Sequence, residues 1–272
     1  MQRTVSTHPS SEVPRGGRSS DSAGAPAQRI RALTTDLWYT VIYYRPTDQL
    51  HVDRARDRIW TDPLVRAGLP RARARRELRR IDAWATRLEV RGRTPSIFEQ
   101  ARRLEGSTRI PMDGAQIAEA LDGLIARSPV RIAPGASRAL ATIRQAGVPL
   151  GLVSNLLHET GRGARELLEA FGILGEYSVT VFSDEHPWSK PGPEPFRFAL
   201  SRMRVPAAQA AHVGDLSYDV IGATRAGMGA FLYTGLHRFE PPRLRELALA
   251  AAPGAPHVAR WSDLPTRVLG PG

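Results

Sequence analysis

Cysteine is absent from the chain, which excludes disulfides, thiolate nucleophiles and cysteine-ligated metals together. Any chemistry must rest on oxygen and nitrogen groups. Lysine and asparagine are nearly missing too: Lys190 and Asn155 each occur once, and every other cation among the 38 Lys plus Arg is arginine. A guanidinium is larger, planar and forked, so it cannot replace an ammonium where a compact point charge must fit. A lone lysine in an arginine-biased chain therefore draws attention before any motif does. No uncharged apolar run reaches the ~18 residues of a membrane span, and the N-terminus lacks the basic-then-apolar pattern of a secretory signal. The expectation is a cytoplasmic protein with no membrane partner. Acidic residues number only 27, leaving a formal charge of +11. Clustered cations would suit nucleic acid, but such uniform use of arginine reads as a bias of the whole chain, and nucleic acid is not the expected partner.

The chain of 272 residues is 42% hydrophobic, enough to bury a substantial core. Residues 1–28 are rich in Ser, Pro, Gly and Arg without apolar periodicity, the composition of a disordered tail. From residue 29 onward, short apolar runs at 30–35, 148–153, 179–182, 211–213 and 230–233 alternate with amphipathic segments at 134–146, 159–171, 194–203 and 218–226. This is the βαβ signal of an α/β fold with a Rossmann-like, mostly parallel sheet. Residues 46–129 interrupt it with helix throughout. Leu78, Ile81, Ala85 and Leu88 recur at helical spacing opposite Arg75, Arg76, Arg79, Arg80 and Arg87, a packed face against a solvated one. Breaks at 68–70, 92–95 and 106–111 divide the stretch into about four helices, a bundle inserted as a cap domain into a core of residues 29–45 and 130–272.

In an open parallel sheet, ligands bind beyond the carboxyl ends of the strands. Those ends carry Asp36, then Ser154 and Asn155, then Ser189-Lys190-Pro191 in a loop, then Gly214-Asp215. Carboxylates, a hydroxyl and an amine on one edge suit a phosphoryl group beside a divalent cation. Thr35-Asp36-Leu37-Trp38-Tyr39-Thr40-Val41, Val153-Ser154-Asn155, Trp188-Ser189-Lys190-Pro191-Gly192-Pro193 and Val213-Gly214-Asp215-Leu216-Ser217-Tyr218-Asp219 resemble, in order, the four motifs of the haloacid dehalogenase (HAD) superfamily. The helical insertion resembles the cap that this family places between its first two motifs.

The resemblance implies a phosphatase or phosphotransferase acting on a small phosphorylated substrate. Asp36 would attack phosphorus and form an aspartyl-phosphate, with Mg2+ bound by Asp36, the Trp38 carbonyl, Asp215 and Asp219, a hard-oxygen set. Ser154 would donate to a phosphoryl oxygen with the amide of Asn155 beside it. Lys190 would neutralise charge spread over the phosphoryl oxygens, and Thr40 would hold the loop after Asp36. Asp219 is alternatively a helix cap, while Asp184, Glu185 and His186 read as loop groups. Tyr43, Tyr44 and Arg45 lead into the insertion and are candidates for substrate contact.

The sequence departs from that family at Trp38, where HAD phosphatases usually carry an aspartate that serves as general acid and then base, and at Tyr39, where glycine is common. Without an acid the site would suit leaving groups that need no proton. Two other readings stand beside the phosphatase: a metal-free 2-haloacid dehalogenase-like hydrolase, which the Asp215 and Asp219 pair opposes, and a module that binds a phosphorylated ligand without turnover.

Overall fold

The computed structural model describes residues 29–239, 249–250 and 254–270; the tail expected at 1–28 lies outside them. Six strands form one sheet in the order β5-β4-β1-β6-β7-β8, where β1 is Ala32–Thr35, β4 Leu150–Ser154, β5 Tyr177–Phe182, β6 Ala210–Gly214, β7 Gly229–Tyr233 and β8 His257–Val258. Every neighbouring pair is parallel. All five expected runs are strands; β8, only two residues long, carries too little pattern to be read from sequence.

Alternation along the central strands sets the two layers. Leu33, Leu152 and Val213 face a core shared with α5 (Ala136–Gln145), α6 (Gly161–Ala170) and α9 (Leu264–Leu269). Ala32, Val153 and Ala210 face the other way, onto α7 (Glu194–Met203) and α8 (Ser217–Arg225). Successive strand side chains point to opposite faces, so a sheet buried on both sides needs apolar residues at both parities. Burying both faces makes the strand ends the sheet's accessible edge.

Residues 46–129 are helical as expected, in α1 (Pro46–Arg66), α2 (Arg71–Glu89), α3 (Ile97–Thr108) and α4 (Gly114–Ala126). They pack around a core of their own that includes Trp60, Leu64, Leu78, Ile81, Leu104 and Leu121. Arg75, Arg76, Arg79, Arg80 and Arg87 are exposed on α2, the solvated face its periodicity foretold. Gly68 and Gly92 take left-handed conformations at the first two breaks (φ +93° and +78°), where a side chain would be strained. The third break falls later than expected: α3 runs through Gly106 and ends at Arg109, itself left-handed at φ 63°. A capping box between Ser96 and Glu99 starts this helix, satisfying first-turn amides that have no partner within the helix. The insertion leaves and re-enters the sheet domain through an antiparallel pair, β2 (Ile42–Tyr43) with β3 (Arg131–Ile132). Among the described residues no helix is long and apolar enough to cross a membrane.

Candidate active site

The sheet order puts β1 between β4 and β6, so Asp36, just past β1, is flanked by Ser154 at the end of β4 and by Asp215 just past β6. The Asp36 amide donates to the Val213 carbonyl at 2.9 Å, which continues the β1–β6 ladder by one residue and fixes where the carboxylate starts. Into this row comes Lys190 from the loop before α7. Its ammonium donates to Asp36 Oδ1 at 2.5 Å and to Asp219 Oδ1 at 2.6 Å. Asp36, Trp38, Ser154, Asn155, Lys190, Asp215 and Asp219 all line one cavity of about 140 Å³. Thr40 does not line it. Fully buried behind the wall, its hydroxyl donates to Asp215 Oδ1 at 2.9 Å and its carbonyl accepts from the Trp261 indole at 2.9 Å.

Asp219 is the third residue of α8 rather than its N-cap, which is Leu216, and both of its carboxylate oxygens are engaged. Oδ2 accepts the Leu216 amide at 2.9 Å at the start of α8, and Oδ1 takes Lys190 and His212 Nε2, the latter at 3.1 Å. A carboxylate only accepts, so Nε2 carries the proton and Nδ1 accepts from the Thr34 hydroxyl at 2.8 Å. Burial holds the imidazole below its ordinary pKa, hence neutral. Burial works against ionisation of Asp219, yet the Lys190 charge and the His212 hydrogen bond outweigh it and hold this carboxyl below the usual range. Asp36 goes the other way: burial raises it, and Lys190 only partly offsets that. Lys190 itself is held above its ordinary value, its two carboxylates overcoming the effect of burial. Gly214 leaves room for this packing, since a Cβ there would lie 2.1 Å from Asp219 Cγ.

Oxygens of Asp36, Asp215 and Asp219 lie within 4.8 Å of one another, all buried. Three carboxylates against one ammonium leave an excess of negative charge that is costly to bury unpaired. An all-oxygen donor set of this kind fits a hard divalent cation such as magnesium.

Several neighbours carried no sequence signature. Glu89, the last residue of α2, lines the same cavity and accepts from Asn155 Nδ2 at 3.0 Å. Trp38 stacks on Tyr44 with ring centroids 5.0 Å apart, and its indole N–H donates to Glu159. Burial raises Glu159 to about 7. Sequence motifs pass over Glu89 because it belongs to the insertion, and over Glu159 and His212 because neither sits at a motif position. Tyr39 occupies a left-handed backbone position (φ 54°), which accounts for the glycine common there in the family: the conformation costs a side chain about 1–2 kcal/mol. Its hydroxyl donates to Gln49 Oε1 at 3.0 Å. Trp38, Tyr39 and Asn155 also wall a second cavity of about 210 Å³, completed by Tyr44, Arg56 and Glu159 among others. Of the three residues proposed from sequence for substrate contact, Tyr44 lines this cavity, Tyr43 stacks instead on Phe239, and Arg45 is exposed to solvent. Asp184, Glu185 and His186, read from sequence as loop groups, make structural contacts: Asp184 accepts the Gly161 amide at 2.9 Å, Glu185 pairs with Arg165, and His186 stacks on Trp188.

The family model described as haloacid dehalogenase-like hydrolase matches residues 27–227. Over 115 residues the chain is 31% identical to the probable phosphatase IndB of Dickeya dadantii, covering 42% of this chain and 49% of that protein. Over 94 residues it is 33% identical to the phosphoglycolate phosphatase of Neisseria gonorrhoeae, covering 35% of this chain and 39% of that one. The match therefore spans less than half the length of either curated relative. The solved HAD phosphatase from Thermococcus onnurineus superposes with a TM-score of 0.58 at 19% identity, over 89% of this chain and 98% of that chain. At that identity the likeness speaks for the fold.

Proposed function

Because the chain belongs to the haloacid dehalogenase-like hydrolase family, we propose that it is a magnesium-dependent phosphatase or phosphotransferase that works through an aspartyl-phosphate on Asp36. The observation that carries this reading is Lys190, clamped between Asp36 and Asp219 beside the oxygens of Asp215 on the wall of the smaller cavity. A buried ammonium held against a carboxylate nucleophile is placed to neutralise a phosphoryl group as negative charge spreads over its oxygens. Ser154, at the end of the adjacent strand, donates to one of those oxygens, and Thr40 fixes the Asp215 carboxylate. Magnesium, held by Asp36, the Trp38 carbonyl, Asp215 and Asp219, would supply further neutralisation of the phosphoryl oxygens.

Residues 46–129 act in this reading as a cap over a core of residues 29–45 and 130–272. Their contribution to both cavities, through Glu89 in the smaller and through Arg56 and Leu121 in the larger, supports that division. The smaller cavity suits the phosphoryl group and the larger a modest organic remainder, so the substrate is a small phosphorylated metabolite. Relatives named as phosphoglycolate phosphatases agree with that size. A metal-free dehalogenase reading leaves the cluster of Asp36, Asp215 and Asp219 without a role.

The test is an activity panel of phosphomonoesters, acyl phosphates and 2-haloacids, each assayed with magnesium and with EDTA. Phosphate release abolished by EDTA is the expected outcome. Halide release that survives EDTA would replace the reading with the dehalogenase, and binding of phosphate without turnover would replace it with a binding module.

A further inference from the structure

We propose that Glu89, supplied by the helical insertion, donates the proton to the leaving group and later takes one from the attacking water, the role that an aspartate at the Trp38 position has in related phosphatases. The proposal rests on the phosphoryl-transfer reading above. Trp38 cannot fill that role, because its only proton donor, the indole N–H, is committed to Glu159 and its ring lies on Tyr44.

The ionisable residues around the smaller cavity are Asp36, Tyr39, Glu89, Lys190, Asp215, Tyr218 and Asp219, and the Tyr39 hydroxyl donates to Gln49. Asp36 and Asp219 are occupied by Lys190, and Asp215 receives Thr40. Tyr218 is a poor base at neutral pH, since burial raises its phenol above an already high value. Glu89 remains. It reaches the cavity from α2, whereas the others come from the strand ends and the segments that follow them.

Two contacts hold Glu89 in place. Oε1 accepts from Asn155 Nδ2 at 3.0 Å, and three residues further on the Gly92 carbonyl accepts from the Ser189 amide at 2.7 Å, so the end of α2 is docked on the loop that carries Lys190. Gly92 permits that approach: its φ is +78°, and a Cβ there would meet the Ser189 carbonyl at 3.3 Å. Oε2 makes no hydrogen bond to any described residue and is left to exchange a proton. The groups facing Glu89 are Asn155 just past β4, Lys190 from the loop before α7, Asp36 just past β1 and Tyr218 from α8. Burial raises its pKa, the Asn155 hydrogen bond and the Lys190 charge lower it, Asp36 raises it, and the net direction is upward. More of it is therefore protonated near neutrality than of a surface glutamate, which suits a general acid.

The steps balance. Asp36 attacks phosphorus, the bond to the leaving oxygen breaks, and that oxygen keeps the electron pair and takes the Glu89 proton, leaving the alcohol, the aspartyl-phosphate and a Glu89 carboxylate. Glu89 then takes a proton from water as the water oxygen attacks phosphorus. The bond to Asp36 breaks, its electron pair returns to the carboxylate, and phosphate departs with Glu89 protonated again.

The experiment compares wild type, Glu89→Gln, Glu89→Asp and Asp36→Asn on an alkyl phosphate and on 4-nitrophenyl phosphate, with magnesium. For Glu89→Gln, kcat/KM for the alkyl ester falls by about 10²–10⁴-fold, while the aryl ester, whose anion leaves unaided, loses less than about tenfold in kcat/KM. Because the second step has lost its base, the aryl substrate shows a nitrophenolate burst equal to the enzyme, and phosphoenzyme accumulates. Glu89→Asp keeps part of the alkyl activity. Inhibition by inorganic phosphate stays within a few-fold in all Glu89 variants, which shows an intact site. Equal losses on both esters without a burst, or no loss on either, overturn the assignment of Glu89 alone. No phosphate release from wild type, or release retained by Asp36→Asn, overturns the phosphatase reading and this assignment with it.

Discussion

The single asparagine of this chain brackets its single lysine: Asn155 Oδ1 accepts the Lys190 amide and Asn155 Nδ2 donates to the Lys190 carbonyl, both at 2.9 Å. A primary amide is the smallest side chain that presents a donor and an acceptor side by side, so it can engage both ends of one residue's backbone. Asp at 155 would lose the donor, and Ser or Thr would not span the pair. Holding the backbone of residue 190 sets where the ammonium lands between Asp36 and Asp219.

Replacing Lys190 with arginine should therefore be nearly as damaging as replacing it with alanine. The pocket gives the ammonium 2.5 and 2.6 Å contacts and leaves the side chain 5% exposed, which a forked guanidinium cannot enter without displacing one carboxylate. A loss of about 10²–10³-fold in kcat/KM is expected for both variants, the range seen when one preorganised donor to a transition state is removed. Normal phosphate release by Lys190→Arg would reduce Lys190 to a loop cation.

Asp36→Asn should abolish turnover while leaving the fold intact. The change removes the nucleophile with little change in volume, and the amide oxygen can still accept from Lys190. Thermal unfolding should move little and inorganic phosphate should still bind. Retention of more than about a tenth of wild-type phosphate release would sink the nucleophile assignment.

Glu159 gives stability a pH dependence of known sign. Its carboxyl is raised from 4.5 to about 7, so the folded state binds an extra proton between those values and this residue's contribution falls as pH rises from the unfolded value through the folded one. At about 1.36 kcal/mol per unit, the cost reaches about 3 kcal/mol above pH ~7 and is absent well below the unfolded value. Glu159→Gln keeps an oxygen for the Trp38 indole and removes the charge. Denaturant unfolding at acidic and mildly alkaline pH should show equal stability of the two proteins at the lower pH and a more stable variant at the higher. A constant difference across the range would contradict this.

The sheet, the four-helix insertion and the motif residues could be read from the sequence because each rests on local chemistry. Alternating apolar runs give strands, a 3.6-residue period gives α2, and a polar residue ending a buried strand has no other place to go. Glu89, Glu159 and His212 could not be read, because their roles depend on which elements meet across 66, 121 and 178 residues of chain, as in the bonds Asn155–Glu89, Trp38–Glu159 and Thr34–His212. Trp38 was visible as a departure from pattern. What its indole bonds to, and which carboxylate reaches the cavity in its place, needed the folded chain.

The Trp38 position offers the sharpest comparison, because a carboxylate restored there competes with Glu89 for the same role. In the wild-type background Trp38→Asp should change alkyl phosphate turnover little, since the proton already has a source. In the Glu89→Gln background it should recover a large part of the lost alkyl activity, provided the shorter side chain reaches the bridging oxygen. Two costs accompany the change. Trp38 is partly buried, so its removal costs up to about 3 kcal/mol, and Glu159 loses its indole partner and faces a new like charge. Adding Glu159→Gln relieves that repulsion, and Trp38→Asn in the same background opens the same space without an acid. Recovery by the aspartate and not by the asparagine, seen as a flatter dependence of kcat/KM on leaving-group pKa, is the expected result. Equal activities in the two, with the fold confirmed by unfolding, would mean that proton transfer at this position does not limit the reaction.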